Sequence, residues 1–470
     1  MNIRRWVAYA LITSATATAF PAQTEDSLPA IQALQRQIEE LDQKVKILER
    51  KRELDQDATT EKAKSAVTVS AGTSGFSINS ADTNFVLKIR GYVQADARFY
   101  LNTSPGITSH DTFLLRRVRP ILEGTVFEKY DYRLMLDFGS GITSTTADNG
   151  FVQDAYVNAR LWPQFQIQAG KFKAPVGLER LKPDGTLLFV ERSYPTQLAP
   201  NRDVGIQVQG DVFDRRLSYA AGVFNGVADG GSGDFETADD EKDFAGRLFT
   251  HPFKNSSIAA IKGFGVGVAG TVGNQEGALR TFVSPGQQRF FAYRTGVGTN
   301  ATTANIVADG EHWRFSPQGY YYWGPFGLFG EYVISSQQLS RSAGGDPTLA
   351  TIRNKAWQVS ASYVLTGEEN SFKAIVPKKP FSLSSGGWGA WELTARVGQL
   401  KVDDNAFPLY ANSTTSAREA TSWGVGLNWH LNRNVKLNLN YEQTDFAGDE
   451  ANPFTAKGEK AILTRIQFGF

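Results

Sequence analysis

Residues 86–100 read VLKIRGYVQADARFY. Leu87, Ile89, Val93, Ala95, Ala97 and Phe99 alternate with Lys88, Arg90, Gln94, Asp96 and Arg98. A period of two belongs to a β-strand, whose successive side chains point to opposite faces. One face here is apolar, and the other carries charges of both signs. A soluble sandwich would bury the apolar face. A barrel in a bilayer turns that face to lipid and the charges into water.

The same period recurs to the C-terminus in about sixteen segments, the last near 459–470. Short connections at 127–129, 162–163, 213–215, 323–325 and 432–433 alternate with long ones such as 101–112, 139–150, 173–203, 226–242, 274–310, 337–353 and 401–420. That is how periplasmic turns alternate with extracellular loops. One connection, near 366–387, is too long for a periplasmic turn. In the last segment Ile462, Ile466, Phe468 and Phe470 share a face. A terminal strand ending on phenylalanine is similar to the C-terminal signal of outer-membrane barrels. The predicted fold is all-β: a 16-stranded antiparallel transmembrane β-barrel with a short N-terminal coiled-coil helix, placed in the bacterial outer membrane.

Composition agrees with a barrel. Hydrophobic residues make up 41% of the chain, yet mean hydropathy is −0.31. No apolar run reaches about 18 residues, so no helix in the sequence can span a bilayer. The absence of cysteine excludes disulfides, thiolate chemistry and Cys-bound metals. A formal charge of +1 makes the whole chain no binder of nucleic acid, so any anion preference depends on where the charges sit. No glycine-rich phosphate loop follows a strand and opens a helix, and no cofactor is expected. Only His110, His251, His312 and His430 are present; turn counting puts His251 and His430 toward the periplasmic end, and no catalytic serine or acid motif marks His110 and His312, so the chain does not read as an enzyme.

The N-terminus divides into three parts. Arg4 and Arg5 precede a modest apolar stretch and small residues, as in a signal peptide over 1–22 with cleavage near 19–22. Residues 28–55 carry a heptad seam of Ile31, Leu34, Ile38, Leu41, Val45 and Leu48, read as a coiled-coil stub in the periplasm. Residues 56–85 read as a linker, and 86–470 as the barrel. Outer-membrane lipid and lipopolysaccharide are its expected surroundings. The acidic stretch 229–243 reads as a solvated loop, and the run 320–323 (YYYW) as part of an interfacial aromatic girdle.

Parity places charges in the lumen. Arg117, Arg119 and Glu123 oppose Val118 and Leu122; Arg133 and Asp137 oppose Leu134 and Leu136; Asp154, Asn158 and Arg160 oppose Val157 and Leu161. Arg90 and Arg98 lie on the same side as Asp96, and Arg247, Arg314, Arg396 and Arg465 follow on later strands. Facing lipid at the midplane would cost each of these charges about 2–4 kcal/mol. Parity therefore says where they go, and it is equally met by a generic polar lumen. Residues 173–203 form the third long loop. Leu187, Leu188, Phe189 and Val190 make it too apolar to float in water, so it is expected to fold into the barrel and constrict it.

Four stretches, LLRRVRPILEGTVFEKYDYRLMLDFG, VQDAYVNARLWPQFQIQAGKFKAPVGLERL, FVERSYPTQLAPNRDVGIQVQGDVFDRRLSYAAGVFNG and SYVLTGEE, resemble the phosphate-selective porin O and P family. The resemblance implies a homotrimer of sixteen-stranded barrels, an inwardly folded third loop, and an arginine ladder leading to a lysine-lined constriction with an aspartate beside it. Arg116 and Arg117 match the paired arginines of the second strand, Asp154 the constriction aspartate, and Lys171 and Lys173 the basic positions of the GKFK block. Lys171, Lys173 and Lys182 all remain candidates for the narrowest point. The expected function is a water-filled, anion-selective channel for phosphate or related oxyanions. The alternative is a general or sugar-type diffusion porin of weak ion selectivity.

Overall fold

The computed structural model describes residues 27–102, 110–139, 151–234, 240–296, 304–342, 348–449, 452 and 458–470. The signal segment expected over 1–22 lies outside them. Residues up to Ala66 and from Val67 onward form two separate units.

Among the described residues the first unit holds one helix, Ser27–Ser65, whose seam residues Ile31, Leu34, Ile38, Leu41, Val45 and Leu48 are all exposed. The linker expected over 56–85 is replaced by regular structure. The helix continues through it to Ser65, and Thr68–Gly72 then pairs with Gly75–Asn79 in a short hairpin. Gly75, at φ 90°, supplies the left-handed residue that so tight a turn requires.

The second unit holds sixteen barrel strands: β1 (Phe85–Tyr100), β2 (Thr112–Val126), β3 (Tyr130–Leu136), β4 (Val152–Trp162), β5 (Phe165–Lys173), β6 (Arg202–Val212), β7 (Leu217–Phe224), β8 (Asp243–Thr250), β9 (Phe264–Gly277), β10 (Asn305–Trp323), β11 (Phe326–Ser342), β12 (Thr348–Val364), β13 (Ala390–Lys401), β14 (Glu419–His430), β15 (Val435–Ala447) and β16 (Glu459–Gly469). Each pairs antiparallel with the next. The barrel closes where β16 meets β1, from Ala461↔Tyr100 to Gly469↔Tyr92. Closure leaves no unpaired edge, the condition for sheet in lipid. The short hairpin continues this seam beyond β16, pairing Phe76 with Ile89 and Asn79 with Val86. Phe470 exchanges two backbone hydrogen bonds with Gly91, at 3.0 and 3.2 Å.

The outer surface follows the alternation. Phe113, Leu115, Val157, Ile206, Val266, Val359, Leu439 and Ile466 are exposed. At the short-turn end Phe127, Trp162, Phe213, Phe253, Trp323 and Trp388 are exposed as well, as an interfacial girdle requires. The run 320–323 belongs to that girdle only in part. Trp323 faces out, but Tyr320 turns inward, bonded to His251 Nε2 at 2.7 Å and stacked on Phe372 at 5.2 Å.

The interior departs from a uniformly polar lumen. At the long-loop end Ile306, Leu339, Ile352, Leu400, Ala420 and Phe446 point inward and are buried. They pack with Phe282, Phe290, Phe291, Tyr293 and Tyr410 from the two long loops between β9 and β10 and between β13 and β14. These loops clasp each other: Ala417 N–H donates to Phe290 O at 2.7 Å, and Arg294 N–H to Tyr410 O at 2.9 Å. The overlong periplasmic connection, 365–389, folds back as well. Phe372 stacks under Tyr320 and Phe329, and Ile375 is buried against Val364 and Ala390. Side chains therefore fill much of the lumen beside the later strands, and two cation-lined cavities lie mainly beside β1–β8.

Candidate anion pathway

The third loop leaves β5 at Lys173 and enters β6 at Arg202. Its apolar residues Leu178, Leu187, Phe189, Val190 and Leu198 are each at most 3% exposed, so hydrophobic burial draws it inside. Its backbone must then find partners there, and the far wall supplies them. Leu178 N–H donates to Glu331 Oε2 at 2.6 Å and Val190 N–H to Asn440 Oδ1 at 2.7 Å. Lys436 Nζ donates to Leu187 O at 2.6 Å, and Asn428 Nδ2 to Leu188 O at 2.9 Å. Arg396 donates to Glu191 O at 2.9 Å and lies 4.2 Å over the Phe189 ring. The loop thus crosses the barrel and is pinned to β11 and β13–β15.

Its other edge meets the wall of β1 and β2 through two acids. Glu191 receives Arg116 at 2.7 Å, Arg98 at 3.1 Å and Arg465 at 3.5 Å. Asp184 receives Arg119, Arg192 and, at 3.5 Å, Arg117. Burial alone would raise the Asp184 carboxyl, but Arg192, Arg117, Arg119 and Lys173 outweigh it and hold the group well below the usual carboxylate range. Glu191 behaves likewise: burial raises it, and Arg116, Arg98 and Arg465 lower it further than that.

Consecutive arginines should face opposite sides of a strand. Here the pairing of β1 with β2 slips: Gln94 opposes Arg117 and Ala95 opposes Leu115. Arg116 is the extra residue of a β-bulge, which re-aims it. Both Arg116 and Arg117 therefore reach the acids of the third loop.

Two cavities run along this wall. One, of about 300 Å³, opens toward the long loops, and its lining includes Arg116, Arg117, Arg119, Asp137, Arg180, Asp184, Glu191, Arg192, Arg202 and Asp229. The other, of about 590 Å³, opens toward the short turns, and its lining includes Arg133, Asp154, Tyr156, Lys173, Asp184, Arg202, Asp211 and Arg247. Asp184 and Arg202 line both cavities, marking where the two meet. At this junction Asp154 bridges Arg202 at 2.8 Å and Arg133 at 3.0 Å. Lys173 Nζ donates to the carbonyls of Arg180 at 2.6 Å and Lys182 at 3.2 Å, which ties the loop to β5. Among the described residues, ten lysine and arginine side chains and six carboxylates line the two cavities, a difference of four. The whole chain carries only +1.

Residues 87–470 match the family described as phosphate-selective porin O and P. The chain belongs to this family. This porin is 26% identical to porin O of Pseudomonas aeruginosa over 425 residues, which cover 84% of its own chain and 91% of the relative. Among solved structures it is similar to the outer-membrane channel DcaP of Acinetobacter baumannii, with 9% identity, a TM-score of 0.50, and coverage of 82% and 98% of the two chains. It is also similar to an anion-selective porin from Comamonas acidovorans, with 13% identity, a TM-score of 0.46, and coverage of 82% and 99%. The porin is an anion-selective channel of the bacterial outer membrane.

Not every residue singled out in the sequence reaches this pathway. Arg117, Arg119, Arg133, Asp154 and Lys173 gather at or beside the junction, and Arg98 and Arg116 lie at the Glu191 cluster. Lys171 lines neither cavity and pairs with Asp234. Lys182 lies on the far side of the loop, 5.4 Å over the Phe372 ring. Arg160 bonds Asp131 at 2.7 Å and the Glu128 carbonyl at 2.7 Å near the short-turn rim. Arg90 is half-exposed and bonds Glu123 at 2.8 Å. Arg314, Arg396 and Arg465 point inward but line neither cavity; Arg314 holds Asp229 and Asp243, at 2.8 and 3.3 Å. Asp243, at one end of the acidic stretch 229–243, is thereby buried and Asp229, at the other, partly so, whereas Asp234 and residues 240–242 are exposed and 235–239 lie outside the described residues. Asp184, Arg192 and Arg202 are among the charges that the third loop carries into the barrel, but a loop without period offers no parity to say which of them meet the pathway. The signal that marks two of them is the ERS…NRD block, which contains Arg192 and Arg202.

Proposed function

We propose that this porin passes phosphate and related oxyanions along the wall of β1–β8, through the junction of the two cavities. The observation that carries this reading is the excess of cations lining a path that bends around Asp184 and Arg202. Guanidinium groups offer paired N–H donors that replace part of an oxyanion's hydration shell. Arg116, Arg117 and Arg119 would collect the anion on the long-loop side, Arg192 and Arg202 would pass it at the junction, and Arg133 and Lys173 would receive it beyond. Asp154, Asp184 and Glu191 hold these cations in fixed geometry and keep the site from becoming a trap. Conduction needs binding strong enough to enter and weak enough to leave.

The test is a planar-bilayer recording. In a KCl gradient the reversal potential is expected to have the sign of chloride permeation, and added inorganic phosphate is expected to block most of the chloride current. A reversal potential of cation sign, or a chloride current indifferent to phosphate, would sink the reading.

We further propose that the porin is a homotrimer, and that the exposed seam of Ser27–Ser65 joins the helices of neighbouring copies. Burying Ile31, Leu34, Ile38, Leu41, Val45 and Leu48 against equivalent residues removes apolar area that one copy leaves in water. Deleting 27–65 is expected to lower the temperature at which the oligomer dissociates in detergent electrophoresis. An unchanged dissociation temperature counts against the seam.

A further inference from the structure

The cavity on the short-turn side is built for more than a bare oxyanion. Its volume of about 590 Å³ falls in the range of roughly 300–1,000 Å³ that takes whole small molecules. Its wall is also chemically divided. Arg133, Lys173 and Arg202 stand at the junction end. Beyond them lie four glutamines on two cross-strand pairs, Gln166↔Gln209 and Gln168↔Gln207. They form an amide row: Gln209 Nε2 donates to Gln168 Oε1 at 2.8 Å, and Gln207 Nε2 to Gln209 Oε1 at 2.8 Å. Gln207 Oε1 has no partner among the described residues, although the residue is only 5% exposed. A buried acceptor without a partner carries a desolvation cost that a hydroxyl donor would relieve. Beside the row stands Tyr156, opposite Arg133 in the β3–β4 ladder. Its ring is held edge-on by Phe172 at 5.9 Å, which is backed in turn by Phe224 at 5.5 Å.

We propose that this cavity binds sugar phosphates. The phosphate group sits against Arg133, Lys173 and Arg202, the sugar hydroxyls bond the glutamine row, and a C–H face of the ring packs on Tyr156. The inference rests on the reading of the pathway as a phosphate path, and it adds the body of the solute to its charge. An amide row alone is a common lumen lining. An amide row beside a braced aromatic ring and a cation cluster is a site for a hydroxylated ring that carries an anion.

The experiment compares blockers of chloride current through the full-length porin in bilayers: glucose 6-phosphate, methyl phosphate, inorganic phosphate and glucose. Glucose 6-phosphate is expected to block at a concentration about tenfold below that of methyl phosphate, the gain set by ring packing and hydroxyl bonds. Glucose alone, lacking charge, is expected not to block. Tyr156→Ala and Gln207→Leu are each expected to bring the ratio between the two phosphate esters close to one, and Tyr156→Phe to retain it. Equal block by the two esters in the unmodified porin overturns the proposal, as does a ratio that survives both Tyr156→Ala and Gln207→Leu. Block by glucose 6-phosphate without block by inorganic phosphate would leave the sugar-phosphate site standing and remove the free-phosphate reading. Block by inorganic phosphate with equal block by the esters would do the reverse.

Discussion

Replacing Arg202 and Lys173 together, as Arg202→Gln with Lys173→Met, is expected to lower the anion-to-cation permeability ratio by about tenfold or more while the barrel still inserts and conducts. Arg202 lines both cavities, so it stands beside the proposed route from one to the other. Its removal leaves Asp154 with Arg133 alone, and the loss of Lys173 removes a second charge beside Asp184. Two unit charges about 4 Å apart interact by about 4 kcal/mol at an effective dielectric near 20. A tenfold change in the ratio needs only about 1.4 kcal/mol. Gln and Met reach less far than Arg and Lys by two and one heavy atoms, so single-channel conductance is read alongside to separate loss of charge from a wider hole. The measurement is the reversal potential in a KCl gradient. An unaltered ratio would move the seat of selectivity to the Glu191 cluster, where Arg98 and Arg116 remain intact.

Asp184→Ala is expected to act in the opposite way, damaging the loop and sparing the barrel. Arg117, Arg119 and Arg192 all converge on this one carboxylate. Removing one partner of a buried ion pair leaves uncompensated charge, a loss of about 3–5 kcal/mol. The strand ladders do not involve Asp184, so assembly should persist. The loop should remain pinned at Glu331, Asn428 and Asn440, and at Glu191 by Arg98 and Arg116, while the stretch around residue 184 loosens from β2. Limited proteolysis is expected to cut within 182–192 faster than in the unmodified porin, and single-channel current to become noisier. The sign of the pH effect follows from the lowered carboxyl. A depressed folded-state value stabilises the anchor above the unfolded value of about 3.9, and that contribution fades only as pH falls through the lower folded value. Between pH 5 and 8 the unmodified loop should therefore be equally protected, and the Asp184→Ala loop equally cut. Protection unchanged by the substitution would show that the far wall and the Glu191 cluster hold the loop without Asp184.

The two substitutions also separate what parity can see from what it cannot. Arg119, Arg133 and Asp154 were legible as lumen residues, because a charge at the wrong parity would face lipid. Arg116 was not legible by parity, since its inward turn depends on a bulge set by the register of β1 against β2. The third loop was legible as an inward fold from four consecutive apolar residues. Which of its side chains meet the pathway was not, because that depends on partners far away in sequence, such as Glu331 and Asn440. Lys182 illustrates the consequence: it is close in sequence to Asp184 yet faces the opposite side of the loop. The interior core was missed for a related reason. Leu339, Ile352 and Leu400 sit on the lumen parity but near the long-loop end, where folded loops rather than water cover them.

The sequence by itself determined a closed barrel of about sixteen strands, since alternation is enforced residue by residue through the cost of placing charge in lipid. It also determined that cations line the lumen of a chain whose net charge is close to zero. Only the tertiary structure decided that the cation-lined cavities lie along β1–β8 and share Asp184 and Arg202. Loops from three places in the chain fill the rest of the barrel, and packing between segments hundreds of residues apart leaves no periodic trace in any one of them.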